Sequence, residues 1–172
     1  MREKLVSESA TVMTEMIMPN DTNPLGNLMG GNLMRWMDIA AGICASKHCE
    51  AFAVTASVDH VSFQNPIRLG DVITVKAFVT RAFNTSVEIF VEVTTSDIRG
   101  FEARKSNHAY FTFVALDEEK KKPISIPKVR PLSSEEQLRF EGAIRRRELR
   151  LVLSGRMRPE EANEIKNFFK NM

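Results

Sequence analysis

The chain has 172 residues, enough for one domain with a sizeable core and too few for two comfortable ones. Its 43% apolar content is ordinary for a globular protein, which sets aside disorder and fibrous repeats. Against 22 Asp plus Glu, 24 Lys plus Arg leave a net charge of +2, too mild to call for nucleic acid or an anionic membrane as partner. No run reaches the roughly 18 apolar residues of a membrane helix, and residues 1–10 lack the apolar core of a secretory leader. Cys44 and Cys49 fit neither a zinc nor a redox spacing, so two reduced thiols in a cytoplasmic protein are expected.

In chain order, Met1 to Lys4 reads as a frayed end and Ser7 to Met18 as a first strand. Pro19 to Asn27 is dense in turn formers and must be a loop. From Gly30 to about His48 the pattern is helical, with apolar residues covering nearly the whole circumference. The exceptions are Arg35, Asp38 and Ser46, together with Asn32 at its start. A helix apolar all round is expected to be buried all round. Phe52 to Asn65 alternates as a strand and stops at Asn65-Pro66; Leu69-Gly70-Asp71 turns. Alternation returns through Ile73–Thr80, Val87–Val93 and Ala103–Phe113. The short turns between the last four strands predict an antiparallel meander. A sheet needs a cover on one face, and the apolar helix supplies it, giving an α+β fold in which a curled sheet wraps a central helix.

The reading divides the chain into a main domain at residues 7–117, a proline-punctuated connector at 118–132 and a helical extension at 133–172. Ser133 with Glu136 forms a capping box opening a helix to about Leu153, and Gly155 ends it. Ile165, Phe168 and Phe169 mark the apolar face of a short last helix. Arg139, Arg145, Arg146, Arg147 and Arg150 make a basic face on the first tail helix. Glu141 and Glu148 interrupt it, so a solvated or inter-protomer helix is expected there rather than a nucleic-acid contact.

Asp38 is the most informative residue. A carboxylate on so apolar a helix must be paired, hydrogen-bonded or protonated, and a buried carboxylate gains the basicity that a general base needs. Its structural alternative is a carboxylate holding a neighbouring loop. Gly30-Gly31 opens the same helix, where bare N–H groups and the positive end of the dipole suit a developing oxyanion or simply permit close packing. Asn23 and Asp21 lie in the preceding loop, where such residues also serve purely conformational ends. His48, His60 and His108 form no nucleophile arrangement or metal spacing, and cations such as Arg68, Arg81, Arg104 and Lys128 fall at strand ends and in the connector.

The run Asp21-Thr22-Asn23-Pro24-Leu25-Gly26-Asn27-Leu28-Met29-Gly30-Gly31, then Leu33 to Asp38, resembles the hotdog-fold acyl-CoA thioesterases of the cytosolic acyl-CoA hydrolase type. Val58-Asp59-His60-Val61-Ser62-Phe63-Gln64-Asn65-Pro66-Ile67-Arg68-Leu69-Gly70-Asp71 resembles that family's second strand and turn. The likeness spans roughly Ser7 to Ala115. It implies hydrolysis of acyl-CoA to a carboxylic acid and coenzyme A, with no metal or other cofactor. Asn23 and Asp38 would come from opposite protomers of a dimer, and backbone N–H groups of Gly31 and Gly30 would meet the thioester oxygen. Coenzyme A would lie along Asn65, Arg68, Arg81, Thr85, Ser86 and Lys128. Dimers of this type commonly assemble as trimers of dimers. The resemblance leaves a non-catalytic acyl-CoA-binding or sensing module as the alternative. A hotdog dehydratase is disfavoured, because the Asn20–Asn27 loop lacks the histidine such enzymes need.

Overall fold

The computed structural model describes residues 2–63, 65–101 and 103–170, so Gln64 of the second motif lies outside the described residues. The chain divides into two compact units, one up to Arg130 and one from Pro131. In the first, β1 (Glu3–Leu5), β2 (Thr11–Met16), α1 (Gly30–Cys49), β3 (Phe52–Phe63), β4 (Val72–Ala82), β5 (Ser86–Ser96), β6 (Arg104–Leu116) and β7 (Lys128–Arg130) follow one another. In the second, α2 (Ser134–Leu153) precedes α3 (Asn163–Lys170).

Five strands form one curled antiparallel sheet in the order β2-β4-β5-β6-β3. The inward residues Ile73, Val75, Ala77, Ile89, Val91, Val93, Phe111 and Phe113 are buried against α1, which turns Leu33, Met37, Ala40, Ala41 and Cys44 onto them. This is the hotdog arrangement the sequence predicts, with two corrections. The first concerns the meander, which holds only for β4, β5 and β6. The strand before them, β3, pairs with β6 and becomes an edge. The turn after β3 is a crossover, because residues 65–71 bond elsewhere: Leu28 N–H donates to Ile67 O (2.7 Å), Leu69 N–H to Gly26 O (3.0 Å) and Gly70 N–H to Ile17 O (3.0 Å).

The second correction concerns α1, which is buried on one side only. Ile39 and Ile43 keep 36% and 41% of their surface, and on the adjoining edge strand Phe52, Val54 and Phe63 keep 59%, 47% and 58%. Apolar residues therefore continue past the core onto an open face.

At the other end of α1, the expected frayed terminus is a strand. β1 pairs in parallel with β7, inside the segment read as a connector. This places Lys4 at the helix C-terminus, where its ammonium donates to Lys47 O (2.7 Å) and meets Glu50 Oε1 (3.1 Å). Such a cation answers the unpaired carbonyls and the negative end of the helix dipole. In the second unit the capping box forms as the spacing predicts: Glu136 N–H donates to Ser133 Oγ (3.1 Å) and Ser133 N–H to Glu136 Oε2 (3.2 Å). Glu148 then caps α3, accepting from the N–H groups of Glu164 and Ile165.

Candidate active site

Asn23 organises the loop that leads into α1. Its Oδ1 accepts from the N–H groups of Leu25 (3.0 Å) and Asn27 (3.2 Å), while its own N–H donates to Asn27 O (2.8 Å). Two donors on one oxygen fix which end of the carboxamide is which, and leave Nδ2 as the donating end. Met29 N–H donates to Asp21 O (2.9 Å), and Asp21 Oδ1 accepts from Asn32 Nδ2 (3.4 Å), so the loop is clamped to the helix start.

No side chain caps that start. Among the described residues the N–H groups of Gly30 and Gly31 have no partner, whereas those of Asn32 and Leu33 turn back to Met29 O. Gly30 lies close under Phe63, where a Cβ would sit 3.4 Å from the ring. At Gly31, which is exposed, a Cβ would meet nothing within 4 Å. Two bare N–H groups at the positive end of a 20-residue helix suit a developing negative oxygen.

Asp38 lies about two turns further along α1, half-buried. It is not isolated: Thr55 Oγ1, on β3, donates to its Oδ1 at 2.7 Å. Thr55 was not among the site residues read from sequence. Its signal is weak, a hydroxyl on an edge strand 17 residues downstream, and β3 is bulged just after it, between Thr55 and Ser57. The pair sits in an open cleft of about 660 Å³ whose walls include Ile39, Gly42, Ile43, Val54 and Phe113. No histidine lines it.

Gly31 and Asp38 are seven residues apart on one helix, nearly the same face but roughly 10 Å apart along the axis. One carbonyl group cannot touch both. The second cleft, about 270 Å³, lies at the helix start and is lined by Gly30, Leu33, Phe63, Asn65 and Asn107 among others.

The residues expected to hold coenzyme A separate in the same way. Asn65, which donates to Lys105 O (3.3 Å), and Arg68, whose N–H donates to Asp71 Oδ2 (2.9 Å), lie at the helix-start end of the sheet. Arg81, stacked 6.0 Å from the Phe83 ring centroid, lies with Thr85 and Ser86 around the β4–β5 turn at the opposite end. Lys128 lies on β7, paired with Glu3. The 11 residues of β4 span roughly 33 Å between the two ends. The two groups therefore do not meet on one protomer.

His48 is fully buried, and its Nε2–H donates to Pro127 O at 3.0 Å, so Nδ1 is the bare nitrogen, without a partner among the described residues. Burial holds this ring below the ordinary histidine range, against a smaller opposing effect of the Pro127 hydrogen bond. Burial also pushes the thiols of Cys44 and Cys49 up to about 12 and about 11. His60 sits at a left-handed φ of 54°, next to a second irregularity of β3, edge-on to Tyr110. Among the described residues no helix is long and apolar enough to cross a membrane.

Residues 25–101 match the profile of the Thioesterase superfamily. The uncharacterized acyl-CoA thioester hydrolase YkhA of Bacillus subtilis is 36% identical over 143 residues, covering 83% of each chain. The apo form of a hexameric acyl-CoA thioesterase superposes with a TM-score of 0.86 at 34% identity, over 90% of this chain and 98% of that one. An acyl-CoA hydrolase from Staphylococcus aureus, solved with butyryl coenzyme A, coenzyme A and coenzyme A disulfide, gives 0.82 at 36% identity, over 89% of this chain and 94% of that one. Alanine variants of that hydrolase at an asparagine, an aspartate and a threonine have also been solved. In sheet order, in the helix its sheet curls around and in sequence over most of its length, the chain belongs to the hotdog-fold acyl-CoA thioester hydrolases of the thioesterase superfamily.

Proposed function

We propose that two copies of the chain join along the β3 edge and hydrolyse acyl-CoA thioesters in clefts that each copy half supplies. Asp38 of one protomer, held by Thr55, either activates a water as general base or attacks the carbonyl to give a mixed anhydride. The Gly31 N–H of the partner protomer, with that of Gly30, receives the charge that builds on the thioester oxygen. Nδ2 of Asn23, also from the partner protomer, orients the water or the thioester. Coenzyme A leaves as the thiol, and the only co-reactant consumed is water.

The observation that carries this reading is the separation along α1: an acid in an open cleft, and free amides two turns away on the same helix. One substrate can engage both kinds of group if they come from two helices. The apolar residues left open on α1 and β3 favour such a pairing, since an unpaired edge strand is a ready surface for a second copy. The asparagine, aspartate and threonine replaced in the S. aureus enzyme stand in the same order and at the same spacing as Asn23, Asp38 and Thr55, which supports all three assignments. Its complexes with coenzyme A forms support coenzyme A as the ligand, and Asn65, Arg68, Arg81, Thr85, Ser86 and Lys128 are the proposed nucleotide surface, divided between protomers because its two halves lie at opposite ends of the sheet. The hexameric thioesterases support three such dimers per assembly. Two free, buried cysteines fit a reducing compartment, the cytoplasm, and release of a carboxylic acid from acyl-CoA fits a role in fatty acid metabolism.

Mixing protomers tests the reading. Asp38→Ala and Asn23→Ala chains, each inactive alone, should recover roughly a quarter of wild-type thiol release when refolded together, because half the dimers are mixed and each carries one intact site of two. No recovery in verified mixed dimers excludes a site shared in this way.

A further inference from the structure

We propose that Asn107 is a substrate-binding residue whose carboxamide oxygen accepts a hydrogen bond from the pantetheine amide N–H nearest the sulfur, seating the thioester at the start of α1. The inference rests on the acyl-CoA hydrolase reading above and assigns the arm of that substrate.

Asn107 stands on β6 opposite the end of β3 and is only 5% exposed. Its Nδ2 donates to Ser62 O at 2.6 Å, which settles the orientation of the amide, because a carbonyl can only accept. The other end, Oδ1, is buried and has no hydrogen-bond partner among the described residues. Buried amide oxygens are nearly always satisfied, so one left bare calls for a donor beyond the described residues. This one belongs to a side chain that lines the cleft at the helix start.

The rest of that cleft narrows the choice of donor. Leu33, Phe63 and Ile67 give it apolar walls, suited to methylene groups. Asn65 has its Nδ2 on Lys105 O. The free donors are the amides at the tip of α1. The site therefore asks for a slim, mostly apolar arm that offers one N–H to a buried acceptor and, a few bonds away, a carbonyl oxygen to N–H groups. In an acyl-CoA the thioester carbonyl and the first amide N–H are joined by the sulfur and two methylenes, which matches that demand. A cation has one acceptor where it needs several, and a phosphate would set its charge against apolar walls and a bare oxygen.

The test replaces that N–H by oxygen. The acyl-CoA turned over fastest in a chain-length panel is compared with its analogue in which the amide nearest the sulfur is an ester. For the wild-type enzyme kcat/KM should fall roughly tenfold, the cost of leaving a buried acceptor unmatched. Asn107→Leu should handle both substrates at the level of the wild type with the ester and distinguish them by less than about twofold. Asn107→Ser takes its place if leucine unfolds the chain, with circular dichroism as the check. Equal rates for the two substrates with wild type, or discrimination that survives substitution of Asn107, overturn the proposal while leaving the hydrolase reading intact. No release of thiol from any acyl-CoA by the wild type overturns both.

Discussion

Thr55→Val removes one hydroxyl and keeps the shape of the side chain, which makes the Asp38–Thr55 bond a measurable quantity. At 2.7 Å, with a carboxylate as acceptor, the bond is charge-assisted. Bonds of this kind contribute roughly 1.5–3 kcal/mol. Thr55 is exposed on the isolated protomer, so the lower bound is the appropriate one, and about 1.5 kcal/mol corresponds to roughly a tenfold loss of kcat. Asp38→Ala removes the base itself, and a loss of at least roughly a hundredfold is expected. If Thr55 works only by holding Asp38, the losses do not multiply, and Thr55→Val in an Asp38→Ala background changes nothing further. A thiol-release assay measures all four proteins, with little background from the enzyme, because Cys44 and Cys49 are buried. An undiminished tenfold loss in the double variant refutes the positioning role and puts the hydroxyl on the substrate. Near-normal turnover by Asp38→Ala refutes the chemistry outright.

Asn23 has two separable duties. Asn23→Asp keeps an oxygen for the Leu25 and Asn27 amides, so thermal unfolding should move little while activity falls roughly a hundredfold with the lost donor; Asn23→Ala should lower both. His48 gives stability a pH dependence of definite sign. Its folded value lies below the unfolded one, so the unfolded chain takes up a proton first, and stability is lost as pH falls from about 6.5 toward the folded value. Urea melts at pH 7.5 and 5.5 should therefore show a drop that His48→Gln lacks, at most about 1.4 kcal/mol at the lower pH; an unchanged drop removes His48 as its source. Native Cys44 and Cys49, with thiols pushed up to about 12 and about 11, should react with iodoacetamide far more slowly than in guanidinium; rapid native labelling contradicts their burial.

The helix α1, the β4–β5–β6 alternation and the Ser133 capping box were legible in sequence because each is written in local periodicity or spacing. The position of β3 was not. Its destination is fixed by the bonds of residues 65–71 to the Asn23 loop, which no local pattern announces. Three residues of β1 and three of β7, more than 120 positions apart, escaped for the same reason. Reading α1 as buried all round treated every apolar residue as core, although Ile39 and Ile43 belong to an open face. At the proposed site, Asp38 stood out as an acid on an apolar helix, whereas Asn23 was one turn former among several and was singled out only by the family resemblance. Thr55 and Asn107 did not, since a threonine or an asparagine within a strand acquires meaning only from its neighbours across space.

The distance between the tip and the middle of α1 also bears on how the enzyme responds to its own abundance. If each reaction centre borrows half its parts, a lone chain is folded yet inert, and output per molecule falls on dilution while helix content, read at 222 nm, stays level. Catalytic capacity in the cell then rises more steeply than expression until pairing saturates. Constant specific activity at concentrations where light scattering reports single chains excludes that behaviour.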